Sequence, residues 1–96
     1  MIAVLVRFRY ASGFSEEQVR QVAEVARAKF EGMPGLRSKA FTIDPVNREA
    51  LSFYVWESAE AAKAFFSQQL RVTELYGVRP TVQFVEVAVL VENRAS

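Results

Sequence analysis

The chain has no cysteine and no histidine among its 96 residues. It therefore has no disulfide, no thiolate metal ligand and no cysteine nucleophile, and it lacks the commonest general base and metal ligand. Any chemistry must use Asp, Glu, Lys, Tyr or Ser side chains or a bound cofactor. Because carboxylates are not clustered at ligand spacing and no glycine-rich phosphate loop is present, we predict a protein without a metal or a cofactor.

The chain also has almost no excess of charge of either sign. The 12 basic and 11 acidic residues leave a net charge of +1, and the two signs are mixed along the chain. A nucleic-acid-binding protein normally carries a basic stripe, so we predict no nucleic-acid partner. The first apolar stretch, from Ile2 to Val6, is too short for a signal segment or a membrane span. We therefore expect a cytoplasmic protein that does not bind a membrane.

Apolar residues, by contrast, are plentiful at 51% of the chain. The length predicts a single domain over residues 1–96. Because a small domain has a large surface for its volume, some of this apolar surface is expected to be buried between subunits.

Apolar periodicity predicts six elements in the order β-α-β-β-α-β. The first helix begins after Ser15, whose side chain can cap it, and ends at Gly32. Ser58 caps the second helix. The remaining predicted segments are strands over 2–10, 36–43 and 50–56, a hairpin loop over 44–49, a helical turn over 73–76 with Gly77 as its C-cap, and a long last strand over 82–91.

This order of elements is that of the ferredoxin-like α+β fold. Right-handed crossovers place both helices on one face of a four-stranded antiparallel sheet with strand order 4-1-3-2. Since nearly every strand is apolar on both sides, we predict that a second copy of the chain covers the open face of the sheet and forms a homodimer.

Three segments carry a family resemblance: Pro34-Gly35-Leu36, Phe53-Tyr54-Val55-Trp56 leading into Ser58, and Leu75-Tyr76-Gly77-Val78. With them the whole chain resembles the dimeric α/β-barrel superfamily, in particular the antibiotic-biosynthesis-monooxygenase-like group and its YdhR-type members. The resemblance implies a barrel of two sheets with a pocket in each subunit. It also implies, for some members, oxidation of aromatic substrates by molecular oxygen without metal or flavin. Haem-degrading members use a histidine that this chain lacks.

Tyr54 and Trp56 lie two residues apart and so share one face of the third strand. The uniformly apolar sets Leu51/Phe53/Val55 and Val85/Val87/Val89 are assigned to the helix-covered face, which leaves the polar and aromatic residues for the open face. The candidates there are Tyr54, Trp56 and Glu86 as catalytic residues, with Glu86 as default base, and Arg7, Arg9, Ser52 and Phe84 as ligand-binding residues; Tyr76 is a further ligand-binding candidate.

Two interpretations of these candidates stay open. They line a pocket for a small aromatic or quinone-like compound, or they only join the subunits, with Arg7 or Arg9 paired to Glu86 across the barrel. The corresponding functions are a cofactor-independent monooxygenase and a non-catalytic dimer that binds a small molecule. An RNA-recognition motif shares the topology, but the third strand lacks its Arg/Lys-Gly-aromatic pattern.

Overall fold

The computed structural model describes residues 1–10, 13–68 and 80–93. The predicted turn over 73–76, its cap Gly77 and the candidate Tyr76 lie outside the described residues. Within them the elements follow the predicted order: β1 Ile2–Arg9, α1 Glu16–Phe30, β2 Leu36–Asp44, β3 Glu49–Trp56, α2 Ala59–Gln68 and β4 Thr81–Glu86.

The four strands form one antiparallel sheet with the order β2-β3-β1-β4, which confirms the predicted order read from the other edge. The central strand β1 pairs with both β3 and β4. Val4 lies opposite Tyr54 on one side and opposite Phe84 on the other. Residues directly opposite each other project from the same face of a sheet, so this register fixes the face of every strand residue.

Both helices begin at the predicted serines. The Ser15 side chain accepts a hydrogen bond from the backbone N–H of Gln18, and Ser58 Oγ accepts one from the N–H of Ala61 at 3.1 Å. These bonds satisfy N–H groups that have no partner within the helix. Just after α1, Gly32 adopts a φ of +70°, which favours glycine and turns the chain out of the helix.

The β2–β3 hairpin is closed by a polar turn. The Asp44 carboxylate accepts hydrogen bonds from both the backbone N–H and the side-chain amide of Asn47, at 3.2 and 2.7 Å. These bonds lower the pKa of Asp44. The turn aligns Asp44 with Glu49 and thereby sets the register of the hairpin.

Gly35 joins the start of β2 to the second helix. Its φ is +83°, and a Cβ added there would lie 3.0 Å from the Cβ of Ala61. Its carbonyl also accepts a hydrogen bond from the N–H of Glu57. The close approach of α2 to this turn therefore requires a residue without a side chain.

The core lies between the helices and one face of the sheet. Its buried residues come from β1, β3 and both helices: Val4, Val6, Phe8, Val19, Ala50, Tyr54, Trp56 and Ala62. Both helices thus cover the same face, as predicted.

The faces predicted for β3 and β4 are wrong. Ser52, Tyr54 and Trp56 pair with helix-facing residues of β1, so they project toward the helices, and Leu51, Phe53 and Val55 project toward the open face. In β4 the register likewise puts Phe84 and Glu86 on the side of Val4 and Ile2, and Val85 on the open face. The prediction failed because the open-face residues of β3, Leu51, Phe53 and Val55, are at least as apolar as the helix-facing ones.

The last strand is shorter than predicted. β4 ends at Glu86, opposite Ile2. Because β1 begins there, the following valines have no neighbouring strand within the described part of the protomer, although their alternation is typical of a strand. Val89 and Val91 are 80% and 74% exposed.

Candidate functional site

An aromatic cluster fills the space between the sheet and the second helix. Tyr54 and Trp56 stack with ring centroids 6.1 Å apart and an interplanar angle of 13°. Phe65 and Phe66 of α2 pack against both rings, and Phe30 of α1 meets Tyr54 edge-on. Such contacts between large rings stabilise the packing beyond the area that they bury.

Trp56 is 1% exposed, yet its indole N–H has no hydrogen-bond partner among the residues that the structure describes. A buried N–H without an acceptor is costly, and native proteins rarely leave one. The indole nitrogen is thus a buried donor without an acceptor in the described part of the chain.

Among the described residues, Lys39 is the one cation from the sheet that contacts this cluster. Because Lys39 lies opposite Tyr54 in the register, its side chain points toward the helices. The ammonium donates a short hydrogen bond to Tyr54 Oη. It also lies 3.7, 3.8 and 4.3 Å from the ring centroids of Phe30, Tyr54 and Phe41. Three aromatic faces therefore enclose this amine.

The surroundings of Lys39 change its protonation. Burial among the rings, and then the positive charge of Lys29, lower the pKa of Lys39 from 10.5 to about 7. The rings oppose part of this effect because a cation over an aromatic face is stabilised. Near neutral pH the site therefore holds both the ammonium and the neutral amine.

A cleft of about 650 Å³ separates α1 from the sheet and reaches Lys39. Its lining carries opposite charges that pair with each other: Arg27 contacts Glu31 at 3.1 Å and Glu24 at 3.8 Å. Its other lining residues come from α1, β2 and β3, and they are Val19, Arg20, Ala23, Phe41, Thr42, Ile43, Ala50, Leu51 and Ser52. The cleft thus combines apolar side chains, charges on α1 that pair with each other, and the Lys39 ammonium.

The structure brings together only part of the predicted site. Ser52 is buried beside the cleft, Tyr54 and Trp56 lie in the aromatic cluster, and Phe84 reaches it by an edge contact with Phe66 at 5.8 Å. Glu86 is exposed at the end of β4. No contact among the described residues links its carboxylate to the cleft or to Lys39.

Arg7 and Arg9 lie on the opposite face of the sheet from Tyr54 and Trp56, so the predicted convergence of these groups within one protomer is wrong. Within the protomer, their partner is Glu49. Arg9 binds the Glu49 carboxylate at 2.8 Å, and Arg7 lies 3.5 Å from it. Glu49 is only 7% exposed although its partners are largely in solvent.

The sequence analysis missed Lys39 and Glu49. A lysine in a strand usually indicates a solvent-facing position, so the strand pattern alone does not identify Lys39 as a site residue. The signal that points to it is the hairpin register, because the Asp44–Asn47 turn aligns Lys39 with Tyr54.

Two wider expectations concern metals and membranes. Within residues 1–10, 13–68 and 80–93, no three acidic side chains come close enough to form a metal site, and the chain has no His or Cys to add. Neither α1 nor α2 has the length and apolarity of a membrane span.

Comparison with known proteins gives the same architecture. A family model described as "Putative mono-oxygenase ydhR" matches residues 4–91. No curated protein matches the chain. Among solved structures, SnoaB, a cofactor-independent oxygenase from Streptomyces nogalater, is 13% identical with a TM-score of 0.69, over 96% of this chain and 97% of that one.

Two further structures are similar. A monooxygenase from the gene ActVA-Orf6 of Streptomyces coelicolor, in complex with nanaomycin D, is 17% identical with a TM-score of 0.67, over 97% of this chain and 92% of that one. Rv0793 from Mycobacterium tuberculosis is 16% identical with a TM-score of 0.69, over 95% and 98%. These likenesses show the fold, and the family model covers most of the sequence. The chain therefore belongs to the ydhR family of mono-oxygenase-like proteins with the ferredoxin-like fold.

Proposed function

We propose that the protein is a cytoplasmic, cofactor-independent monooxygenase that oxidises a small aromatic or quinone-like compound. The observation that carries the proposal is the set of three polar atoms in the aromatic cluster: Lys39 Nζ, Tyr54 Oη and the unpartnered Trp56 Nε1. A flat ring suits stacking against aromatic side chains, while polar atoms orient its oxygens. The family, and the cofactor-independent activity named for SnoaB, support the same reaction class.

The reaction can be balanced without a cofactor when the substrate supplies the electrons. A ring carbon that bears two hydrogens in the keto tautomer becomes a carbonyl. One oxygen atom of O₂ stays on this carbon, and the other leaves as water with the two hydrogens. The protein then has to bind the ring, accept a proton and stabilise the negative oxygen that develops.

The three polar groups have distinct roles in this proposal. A substrate oxygen in the cleft meets Lys39, which stabilises it as an anion and is itself hydrogen-bonded to the Tyr54 hydroxyl. Trp56 donates its indole N–H to the oxygen that is transferred. Ser52, buried in the wall of the cleft, adds a hydroxyl to the binding surface.

Oxygen uptake with a panel of polyphenols tests the proposal, with and without exhaustive chelation. We expect chelation to leave the activity unchanged. Trp56→Phe and Tyr54→Phe should each reduce kcat by at least about tenfold, as loss of an oxygen-stabilising donor does. Lys63→Gln, at an exposed position of α2, is the matched control and should keep full activity. Absence of uptake with every compound would refute the proposal; stabilisation by a polyphenol without uptake would instead indicate the non-catalytic binding dimer.

We further propose that the protein acts as a homodimer joined through the open sheet face. This face presents Phe53, 40% exposed, with Leu5, Val55 and Val85 around it. The exposed valines after β4 have a strand pattern, and none of the four described strands pairs with them. An obligate dimer buries more than about 2,000 Å² in total, and an apolar sheet face is the kind of surface that provides it.

Light scattering at micromolar concentration tests the dimer. Phe53→Glu places a charge in the proposed interface and should give monomers. Val25→Glu is the matched control, since Val25 is 82% exposed on α1, away from the sheet, and this variant should stay dimeric. A monodisperse monomer for the unmodified protein would overturn the proposal.

A further inference from the structure

The Lys39 amine has an environment that differs from that of an ordinary protein lysine. Its nitrogen lies against three aromatic faces, and the residue lines the cleft. Within the described residues, no carboxylate forms an ion pair with it. The one hydrogen bond that it makes there is to the Tyr54 hydroxyl. A lysine that serves only to neutralise an acid would have an acid beside it.

The charged groups nearest to the cleft do not compensate the Lys39 charge. Glu24 and Glu31 are both engaged with Arg27, and Lys29 adds a second positive charge on the same side. Desolvation and a neighbouring cation both favour the neutral amine, which is the nucleophilic form.

We propose that Lys39 is a nucleophilic amine that binds aromatic aldehydes as a reversible imine. The nitrogen attacks the carbonyl carbon and forms a carbinolamine. The hydroxyl then leaves as water with a proton, and a C=N double bond replaces the C=O bond. No oxidant, reductant or metal is consumed. This activity is independent of the oxygenase function proposed above.

Tyr54 provides the proton that this sequence needs. Its hydroxyl is within hydrogen-bond distance of Lys39 Nζ, so it also lies close to the carbinolamine oxygen, which is bonded to the carbon next to that nitrogen. Protonation of the departing hydroxyl by such a positioned group is general acid catalysis. Tyr54 and Lys39 together therefore supply both the nucleophile and the acid.

The cleft favours an aromatic aldehyde over an aliphatic one. Phe41 lines the cleft beside Lys39, and Phe30 and Tyr54 complete the set of rings around the amine. A flat aldehyde in the cleft stacks on Phe41 with its carbonyl carbon directed at the nitrogen. The cleft volume of about 650 Å³ is ample for one or two rings.

Reductive trapping tests the proposal. The protein is incubated at pH 7 with benzaldehyde and cyanoborohydride, which reduces the imine to a stable secondary amine, and each site is quantified by peptide mass spectrometry. The chain has only three lysines, Lys29, Lys39 and Lys63, so the other two are internal controls. We expect labelling of Lys39 to be faster by about tenfold or more, because a far larger share of it is neutral at this pH.

Variants separate chemistry from folding. Tyr54→Phe should slow the labelling of Lys39 severalfold without changing that of Lys63, whereas Lys63→Arg should leave the rate at Lys39 unchanged. Circular dichroism of each variant verifies that it is folded. Labelling of Lys39 at or below the rate of Lys63 in the folded protein would overturn the inference. Because the readout is covalent labelling and not oxygen uptake, this result does not depend on the proposed oxygenase activity.

Discussion

Replacing Lys39 by methionine should stabilise the protein at neutral pH. The substitution keeps the length of the side chain and its contact with Phe30, Phe41 and Tyr54, but it removes the buried charge. Methionine sulfur packs well against aromatic rings. The variant therefore removes the cost of desolvating the ammonium while it keeps most of the packing.

The expected size follows from the pKa of Lys39. A fall from 10.5 to about 7 corresponds to at most about 5 kcal/mol, at about 1.4 kcal/mol for each pH unit. The side chain is only partly buried, so water screens part of this penalty. The cation–π contacts offset a further part. We expect the variant to gain about 2 kcal/mol in its free energy of unfolding near pH 7.

The size of this advantage depends on pH in a defined way. Below about pH 7, Lys39 is protonated in both the folded and unfolded states, and the full penalty applies. Between about pH 7 and 10.5 the folded state releases the proton while the unfolded state retains it, so the free energy of unfolding rises with pH. Above 10.5 both states are neutral and the penalty is gone. The advantage of Lys39→Met should therefore shrink steadily across this interval.

Urea denaturation at a series of pH values measures this difference directly. Each titration compares the unmodified protein with Lys39→Met, and Lys63→Met serves as the control at an exposed lysine. Taking the difference between proteins removes the pH dependence of all other groups. If the difference between Lys39→Met and the unmodified protein stays constant from pH 7 to 10.5, Lys39 is not desolvated and the reasoning fails.

Other positions give simpler predictions. Gly35→Ala should destabilise the protein by about 1–3 kcal/mol in thermal denaturation, because the left-handed backbone and the contact with Ala61 both oppose a side chain; no change in Tm would contradict this. Ser15→Ala should lower the free energy of unfolding by about 1 kcal/mol in urea denaturation, because the helix cap is lost. Ser15→Asp should keep the cap and the stability of the unmodified protein. Glu49→Gln should lower the free energy of unfolding by about 1 kcal/mol in urea denaturation, because Arg9 loses its buried anionic partner. In 1 M salt the difference in unfolding free energy between the variant and the unmodified protein should be smaller.

Local signals in the sequence were sufficient for the outline of the fold. Ser15 and Ser58 start the two helices because their hydroxyls are the acceptors that exposed N–H groups need, and this preference holds whatever surrounds the helix. The Asp44–Asn47 turn is equally local. For six elements in this order, the right-handed rule for crossover connections allows few sheet topologies.

The faces of β3 could not be predicted from hydrophobicity, because both of them carry large apolar residues. Leu51, Phe53 and Val55 look more like core residues than Ser52, Tyr54 and Trp56 do, yet the latter set is buried. Charge was the better guide. Glu49 pairs with Arg9 across the strands, which puts the odd-numbered residues of β3 on the arginine face.

Lys39 shows a second limit of prediction from the sequence. The pattern identifies a lysine in a strand, but its altered protonation depends on Phe30, Tyr54 and Lys29, which belong to other elements of the fold. Only the assembled hairpin and helix bring them together. The candidate site was therefore predictable in its aromatic residues and not in its cation.

The central position of β1 has a consequence for how the chain folds. Val4 pairs with Tyr54 and Phe84, so the earliest strand in the chain completes its hydrogen bonds only with the latest ones. Closing such long loops is entropically costly, whereas the β2–β3 hairpin closes across four turn residues. The hairpin should therefore form first during synthesis. At that stage β1 is an apolar segment whose two edges are both still unpaired. This interval is when the nascent chain is most prone to pair with another copy of itself or to require a chaperone.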